Sequence, residues 1–184
     1  CASARARHRH GGRVLSRAET AAITLEAIER ARAITTHAVR ESPLVRLDVD
    51  APCEIWLKLE CLQPIGSFKL RGALNALGCL TSEQKATGVV ASSAGNHGMG
   101  VASAAKTLGI KAKIWVPKAA PQVKKDGIRS FGAELDDSAD HYDHAMELAI
   151  AAGKKMGRPF INPCLGDDLI AGQGTVALEI IEDL

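Results

Sequence analysis

A lysine in the first half of the chain stands where its chemistry would be unusual. Lys69 lies in the sequence GSFKLRGA, residues 66–73, which follows the strand-like run 54–60. Pro64 and Gly66 end that strand and Ser67 is a favourable N-cap, so we predict Lys69 in the first turn of a helix. A cation at that end opposes the helix dipole, and burial there favours the neutral amine. A neutral amine can attack a carbonyl carbon to form a Schiff base, although a lone lysine at a helix start can also simply lie along the surface.

A second candidate for chemistry is the sequence SSAGNHGMG, residues 92–100, between a predicted strand and a predicted helix. A turn at the carboxyl end of a parallel strand is where α/β sheets bind ligands, and its backbone N–H groups suit a carboxylate or phosphate. The glycine spacing, G-x-x-G-x-G, differs from the dinucleotide-binding fingerprint, and the phosphate-binding lysine of a Walker motif is absent. The alternative is a glycine-rich helix start that serves only close helix–sheet packing.

Strands and helices alternate along the chain that carries these residues. We predict a helix over 24–34 and a strand after Pro43, then strands at 88–92, 112–117, 133–135 and 159–162. Helices are predicted at 96–108, before 131, at 140–155 and at 169–184. This alternation predicts βαβ units and an α/β fold with a mostly parallel, twisted sheet in a three-layer α/β/α arrangement. Because the last helix reaches Leu184 without a cap, we expect the native polypeptide to continue.

Composition gives little reason to expect a nucleic acid or a membrane as a partner. The 184 residues carry a formal net charge of +2, and no apolar run is long enough to cross a bilayer. The cysteines are odd in number and form no C-x-x-C pair, which predicts free thiols in a reducing compartment. We therefore expect a cytoplasmic protein, with organellar targeting left open by the Arg-rich segment 1–18, which is predicted to be a disordered basic tail.

An acidic and His-containing run, residues 136–147, allows two interpretations. His144 and Glu147 would share a helix face and could bind a metal. We favour a solvated helix start, because acidic side chains are common at the N-terminus of a helix. The sequence therefore predicts no metal site.

Three motifs together resemble one enzyme family. GSFKLRGA at 66–73, SAGNHG at 93–98 and IAGQGT at 170–175 occur in its order and spacing. Over residues 23–184 the chain closely resembles the N-terminal part of the serine/threonine dehydratase (threonine ammonia-lyase) and serine racemase branch of the fold-type II pyridoxal-phosphate-dependent enzymes. The resemblance implies two lobes with the cofactor between them: a small lobe at 81–163 and an incomplete large lobe from 19–80 and 164–184. It also implies a homodimer for the full-length enzyme.

The resemblance implies a role for each motif residue. Lys69 would form the Schiff base with pyridoxal 5'-phosphate and act as the base that removes the Cα proton. Phe68 would pack against the cofactor, unless it is an ordinary core residue, and Asn96 would bind the cofactor's ring hydroxyl. The substrate carboxylate would be held by five consecutive residues: Ser93, Ala94, Gly95, Asn96 and His97. Arg71 would support the loop, and Gln173 would cap or pack.

The implied reaction is the dehydration and deamination of L-threonine or L-serine to a 2-oxo acid and ammonia. In racemase members, the residue at position 94 is a proton-donating serine, whereas Ala94 cannot transfer a proton, which favours elimination. The phosphate cradle, the partner of the pyridine nitrogen and the metal ligands would lie beyond residue 184, so we expect this chain alone to bind the cofactor weakly. Alternatives are a serine racemase, a hydroxyaspartate dehydratase, a β-replacement enzyme and a non-catalytic truncated paralogue.

Overall fold

The structure, a computed structural model, describes residues 23–93 and 95–184. The basic tail predicted for 1–18 lies outside the described residues. In chain order the elements are α1 (Leu25–Thr35), β1 (Leu44–Leu47), β2 (Ile55–Lys58), α2 (Lys69–Gly78), α3 (Ser82–Thr87), β3 (Val89–Ser92), α4 (Asn96–Leu108), β4 (Ala112–Pro117), α5 (Gln122–Ser130), β5 (Glu134–Ala139), α6 (Tyr142–Met156), β6 (Phe160–Ile161) and α7 (Asp167–Asp183). A short 3-10 turn, Glu60–Leu62, lies between β2 and α2.

Four parallel strands form the main sheet, in the order β5-β4-β3-β6. Successive residues of a strand face opposite sides, so Val89 and Ala91 join the core beneath α4 and α5, while Val90 joins the core beneath α6. Helices therefore cover both faces of the sheet, as the continuous apolar strands require. The prediction of an α/β fold with a mainly parallel sheet is confirmed. β1 and β2 form a separate antiparallel pair.

The acidic run is where the predicted boundaries were wrong. Residues 134–139 form the edge strand β5, and α6 begins only at Tyr142, with the His141 side chain accepting the His144 N–H as its N-cap. Lysines on neighbouring elements pair with the acids, as Lys125 does with Asp137 at 3.0 Å. These pairs let an acid-rich segment extend as a strand, and charge on an edge strand discourages pairing with another chain.

Helix α2, which begins at Lys69, is fixed by close contacts with two other helices. A Cβ on Gly100 of α4 would lie 3.0 Å from the carbonyl oxygen of Lys69. A Cβ on Gly172 of α7 would lie 2.7 Å from the carbonyl oxygen of Arg71. A Cβ does not fit at Gly172 without a backbone shift, and at Gly100 it would be tighter than an ordinary van der Waals contact. The first turn of α2 is therefore held directly against the backbones of α4 and α7.

A buried arginine ties α2 to the segments on either side of it. Arg71 is 1% exposed and donates to Glu60 at 2.8 Å from both Nε and Nη2, and from Nη2 to Glu179 at 2.9 Å. Burial opposes its charge, but the two carboxylates outweigh it and the pKa of Arg71 is raised. The expectation that Arg71 supports the structure agrees with this placement. Within residues 23–93 and 95–184, no helix is both long enough and apolar enough to cross a bilayer.

We predict that Arg71→Met lowers the free energy of unfolding by about 3 to 5 kcal/mol, because, among the described residues, it leaves the largely buried Glu60 carboxylate without a cation and leaves Glu179 with Lys58 alone, at 3.1 Å. Chemical denaturation measures the change. The matched control is Arg32→Met, which removes an exposed pair with Glu182 and should lower the free energy of unfolding far less, because water screens that pair. Equal losses in the two variants would contradict the structural role of the buried pair.

Candidate active site

The strand order places a crevice at the carboxyl ends of β3 and β6. From β3 the chain passes through α4 toward β4 on one side, whereas β6 lies on the other side of β3 and continues toward α7. Such a reversal of direction opens a ligand-binding crevice in open α/β sheets. The residues that follow the two strands are 93–97 and 162–166, so one of the sequence-predicted motifs lies at this point.

Lys69 reaches the same crevice from α2. It is the first residue of that helix and is half-buried, and its Nζ donates to the carbonyl oxygen of Pro163, just after β6, at 3.2 Å. The predicted N-cap was one residue off: Phe68 holds that position, while the Ser67 hydroxyl accepts the Lys69 N–H at 3.3 Å. The amine therefore lies where the two strands diverge, at the positive end of a helix, as the sequence predicted.

Phe68 lines the approach to this amine. Its ring centroid is 5.1 Å from the Lys69 Nζ, and its side chain is 40% exposed. Phe68 is therefore not a core residue but an accessible apolar surface beside the lysine.

The turn between β3 and α4 leaves backbone N–H groups available for an anion. Ser93 is buried; its N–H donates to the Trp115 carbonyl and its hydroxyl accepts from the Gly95 N–H, both at 3.1 Å. Helix α4 then begins at Asn96 with no described side chain capping it. The first N–H groups of a helix lack partners within the helix, so those at 96–98 can bind a carboxylate. Ala94, predicted to contribute here, lies outside the described residues.

Asn96 has a partner that the sequence analysis missed. The Nζ of Lys124, in the first turn of α5, donates to its Oδ1 at 2.7 Å. The sequence predicted a helix that ends before residue 131 but not where it begins, so it gave no sign that Lys124 is a cation in a first helical turn.

The side chain of His97 connects α4 to β6 through a hydrogen bond. It is 4% exposed, and its Nε2 lies 3.1 Å from the carbonyl oxygen of Ile161. A carbonyl only accepts, so Nε2 carries the proton and Nδ1, buried with no partner among the described residues, keeps its lone pair. Burial, and next the charge of Lys69, lower the pKa of His97 to about 4 despite that hydrogen bond. The ring is therefore neutral at neutral pH.

Two further features considered in the sequence are Gln173 and a metal site. Gln173 packs its side chain against Gly72 of α2, and its amide atoms have no hydrogen-bond partner among the described residues. In the described part of the chain, no group of three or more His, Cys, Asp and Glu side chains is arranged to hold a metal ion.

The buried His97 ring predicts a loss of stability in acid. The His97 ring has a pKa of about 6.5 in the unfolded chain and of about 4 in the folded chain. The stability that this difference contributes is therefore complete above pH 6.5 and is lost as the pH falls toward 4. Between about pH 7 and about pH 4.5, wild type should lose roughly 2 to 3 kcal/mol more unfolding free energy than His97→Gln.

Denaturation at the two pH values checks this, with each protein compared with itself. The control is His37→Gln at an exposed histidine, which should keep the acid dependence of wild type. An equal acid loss in wild type and His97→Gln would show that the ring is not held neutral.

The sequence and the fold both match known proteins. Residues 35–184 match the family described as pyridoxal-phosphate dependent enzyme. An L-threonine ammonia-lyase from Thermotoga maritima is 43% identical over 165 residues, which make up 88% of this chain and 41% of that protein. The chain therefore spans less than half the length of this relative.

Two solved structures share the fold. Maize serine racemase superposes with a TM-score of 0.84 at 34% identity, covering 89% of this chain and 51% of that one. The processed form of threonine deaminase isoform 2 from Solanum lycopersicum gives 0.81 at 34% identity, covering 86% and 45%. These likenesses confirm the resemblance drawn from the three motifs. The chain belongs to the pyridoxal-phosphate-dependent enzyme family, with the fold of its threonine dehydratase and serine racemase members.

Proposed function

We propose that the intact protein is a pyridoxal-phosphate-dependent ammonia-lyase that dehydrates and deaminates L-threonine or L-serine to a 2-oxo acid and ammonia. The observation that carries the proposal is that the Lys69 amine binds the Pro163 carbonyl just after β6, while α4 begins uncapped just after the neighbouring strand β3. An amine suited to covalent attachment and an anion-binding turn are what an α-amino acid substrate and an aldehyde cofactor together require.

The residues of the crevice fit the cofactor. Lys69 supplies the amine for its carbonyl carbon, Phe68 an accessible apolar ring, and Asn96 a side-chain amide half-exposed at the crevice. When bound, pyridoxal phosphate supplies an electron sink for the charge left on Cα after proton loss.

Lys69 is also the proposed base. Once its amine is exchanged for that of the substrate, a neutral Nζ can accept the Cα proton. The Pro163 carbonyl, 3.2 Å away, accepts one N–H hydrogen and so leaves the lone pair of a neutral amine free to point elsewhere. We therefore propose that this carbonyl orients the Lys69 side chain both when its amine attaches to the cofactor and when it accepts the Cα proton.

The substrate carboxylate is proposed to bind at the turn 93–97. The neutral His97 ring carries its proton at Nε2, and that N–H donates a hydrogen bond to the carbonyl oxygen of Ile161. The side chain therefore has no donor left for an anion. We therefore assign its contribution to the backbone N–H, alongside those of Asn96 and Gly98. The Gly95 N–H donates to the Ser93 hydroxyl, and this hydrogen bond shapes the turn. Ala94 lies between these two residues in the sequence of the motif.

Elimination is proposed in preference to racemisation. Racemisation needs a proton donor on the face of Cα opposite the lysine, and the alanine at position 94 has no proton to give. The likeness to maize serine racemase keeps racemisation as the second candidate. Measuring D-serine formed from L-serine, beside 2-oxo acid, separates the two reactions.

Further features of the intact protein are proposed from the same family membership. These are two lobes, formed by residues 81–163 and by 19–80 with 164–184, and a homodimeric assembly. A cytoplasmic location is proposed from the odd number of cysteines without a C-x-x-C pair. Because the chain spans only 41% of its Thermotoga relative, we propose that residues 1–184 alone bind the cofactor weakly and turn over slowly.

Selective labelling tests the role of Lys69. With limiting pyridoxal phosphate and borohydride reduction, peptide mass spectrometry should find the pyridoxyl group on Lys69 in preference to the exposed Lys118. Lys69→Ala should lower 2-oxo acid formation from L-threonine on the order of a hundredfold or more, because it removes the base. Uniform labelling of exposed lysines, with turnover retained in Lys69→Ala, would contradict the proposed function.

A further inference from the structure

Lys124 differs from the lysines beside it in what its ammonium binds. Lys118 pairs with Asp140 at 2.9 Å, and Lys125 with Asp137 at 3.0 Å. Among the residues described, no carboxylate pairs with Lys124; its Nζ instead lies 2.7 Å from Oδ1 of Asn96. Lys124 is in the first turn of α5, where a cation opposes the helix dipole. An unfavourable position without an acidic partner calls for an explanation other than ordinary surface charge.

The packing of α5 on α4 places this lysine. A Cβ on Gly127 of α5 would lie 2.8 Å from the sulfur of Met99 on α4, so the glycine permits close contact there. Lys124 and Asn96 each precede this contact by three residues, which puts both on the adjacent turn of their helices. Their contact is therefore built by the same helix pairing that supports the anion-binding turn.

The chemistry of the contact determines which way the Asn96 amide points. A lysine ammonium has donors only, so the atom facing it must be the carbonyl oxygen of the asparagine side chain. The amide nitrogen, with its two N–H donors, must then point away from Lys124. A hydrogen bond to a charged group is stronger than one between neutral groups, so this orientation is firmly favoured.

We propose that Lys124 is a positioning residue that holds Oδ1 of Asn96 and so presents the Asn96 N–H donors to the cofactor's ring hydroxyl. The inference rests on the proposed function and deepens it. Lys124 acts through Asn96 and does not touch cofactor or substrate. The charge of Lys124 also polarises the amide, which makes the Nδ2 hydrogens better donors to an oxyanion.

The role through Asn96 is tested by a double-mutant cycle of cofactor affinity. Pyridoxal phosphate is titrated against the 184-residue chain, and only binding that is lost in Lys69→Ala is counted. Lys124→Met should weaken this binding about tenfold, the effect of losing one charge-assisted hydrogen bond. In the Asn96→Ala background, Lys124→Met should have no further effect, because the residue through which it acts is gone. The control Lys118→Met removes an equal charge from the connection just before α5 and should bind as wild type does.

A second measurement uses the protein without cofactor. The ¹⁵N–¹H signals of the Asn96 side-chain amide should move in Lys124→Met and stay in place in Lys118→Met. This readout also shows that the variant is folded, since the remaining amide signals report the native structure.

The outcomes separate the two proposals. Because this chain is proposed to bind the cofactor weakly, the titration extends to high cofactor concentration; if wild type then still shows no Lys69-dependent binding, the proposed function fails and the role of Lys124 fails with it. If wild type binds and Lys124→Met binds equally well, or if the Asn96 amide signals do not move, only the inference about Lys124 is overturned. A tenfold loss that persists in the Asn96→Ala background would show direct contact with the ligand, and would also overturn the positioning role.

Discussion

The placement of Lys69 depends on a backbone constraint, the contact of α2 with α4 and α7 through glycine. Gly100 and Gly172 let two helix backbones approach the first turn of α2 so closely that a methyl group at either position would meet a carbonyl oxygen. The buried Arg71, bound by Glu60 and Glu179, prevents α2 from sliding within this contact. A reactive side chain is thereby mounted on a rigid element, which is how a catalytic geometry is kept.

Positive charge gathers at the crevice that this packing forms. The Lys69 side chain binds the Pro163 carbonyl after β6, while Lys124 binds Asn96 at the uncapped start of α4. Burial and, beyond it, the charge of Lys69 lower the pKa of His97, so the buried ring stays neutral. Such a concentration is unfavourable in an empty crevice and favourable around an anion. An acid substrate and a phenolic cofactor would both relieve it.

The sequence predicted the α/β fold, and it predicted that the motifs at 66–73 and 92–100 lie at helix starts, because both features follow from short-range sequence patterns. Apolar runs, glycine stops and capping residues place β3, α4 and β4, and Gly109 closes α4 in the left-handed conformation as expected. The strand predicted at 133–135 was too short: its extension through the acidic residues to Ala139 depends on lysines distant in sequence, such as Lys125. The bonds from Lys124 to Asn96 and from His97 to Ile161 join residues 28 and 64 positions apart, so only the folded chain reveals them.

A crystal structure of the protein grown with pyridoxal phosphate tests the central claim most directly. The account predicts continuous electron density from Nζ of Lys69 to the cofactor, with this nitrogen at the end of β3 and β6 beside the turn 93–97. Cofactor bound through a different lysine, or a Lys69 side chain directed into solvent away from that turn, would contradict it.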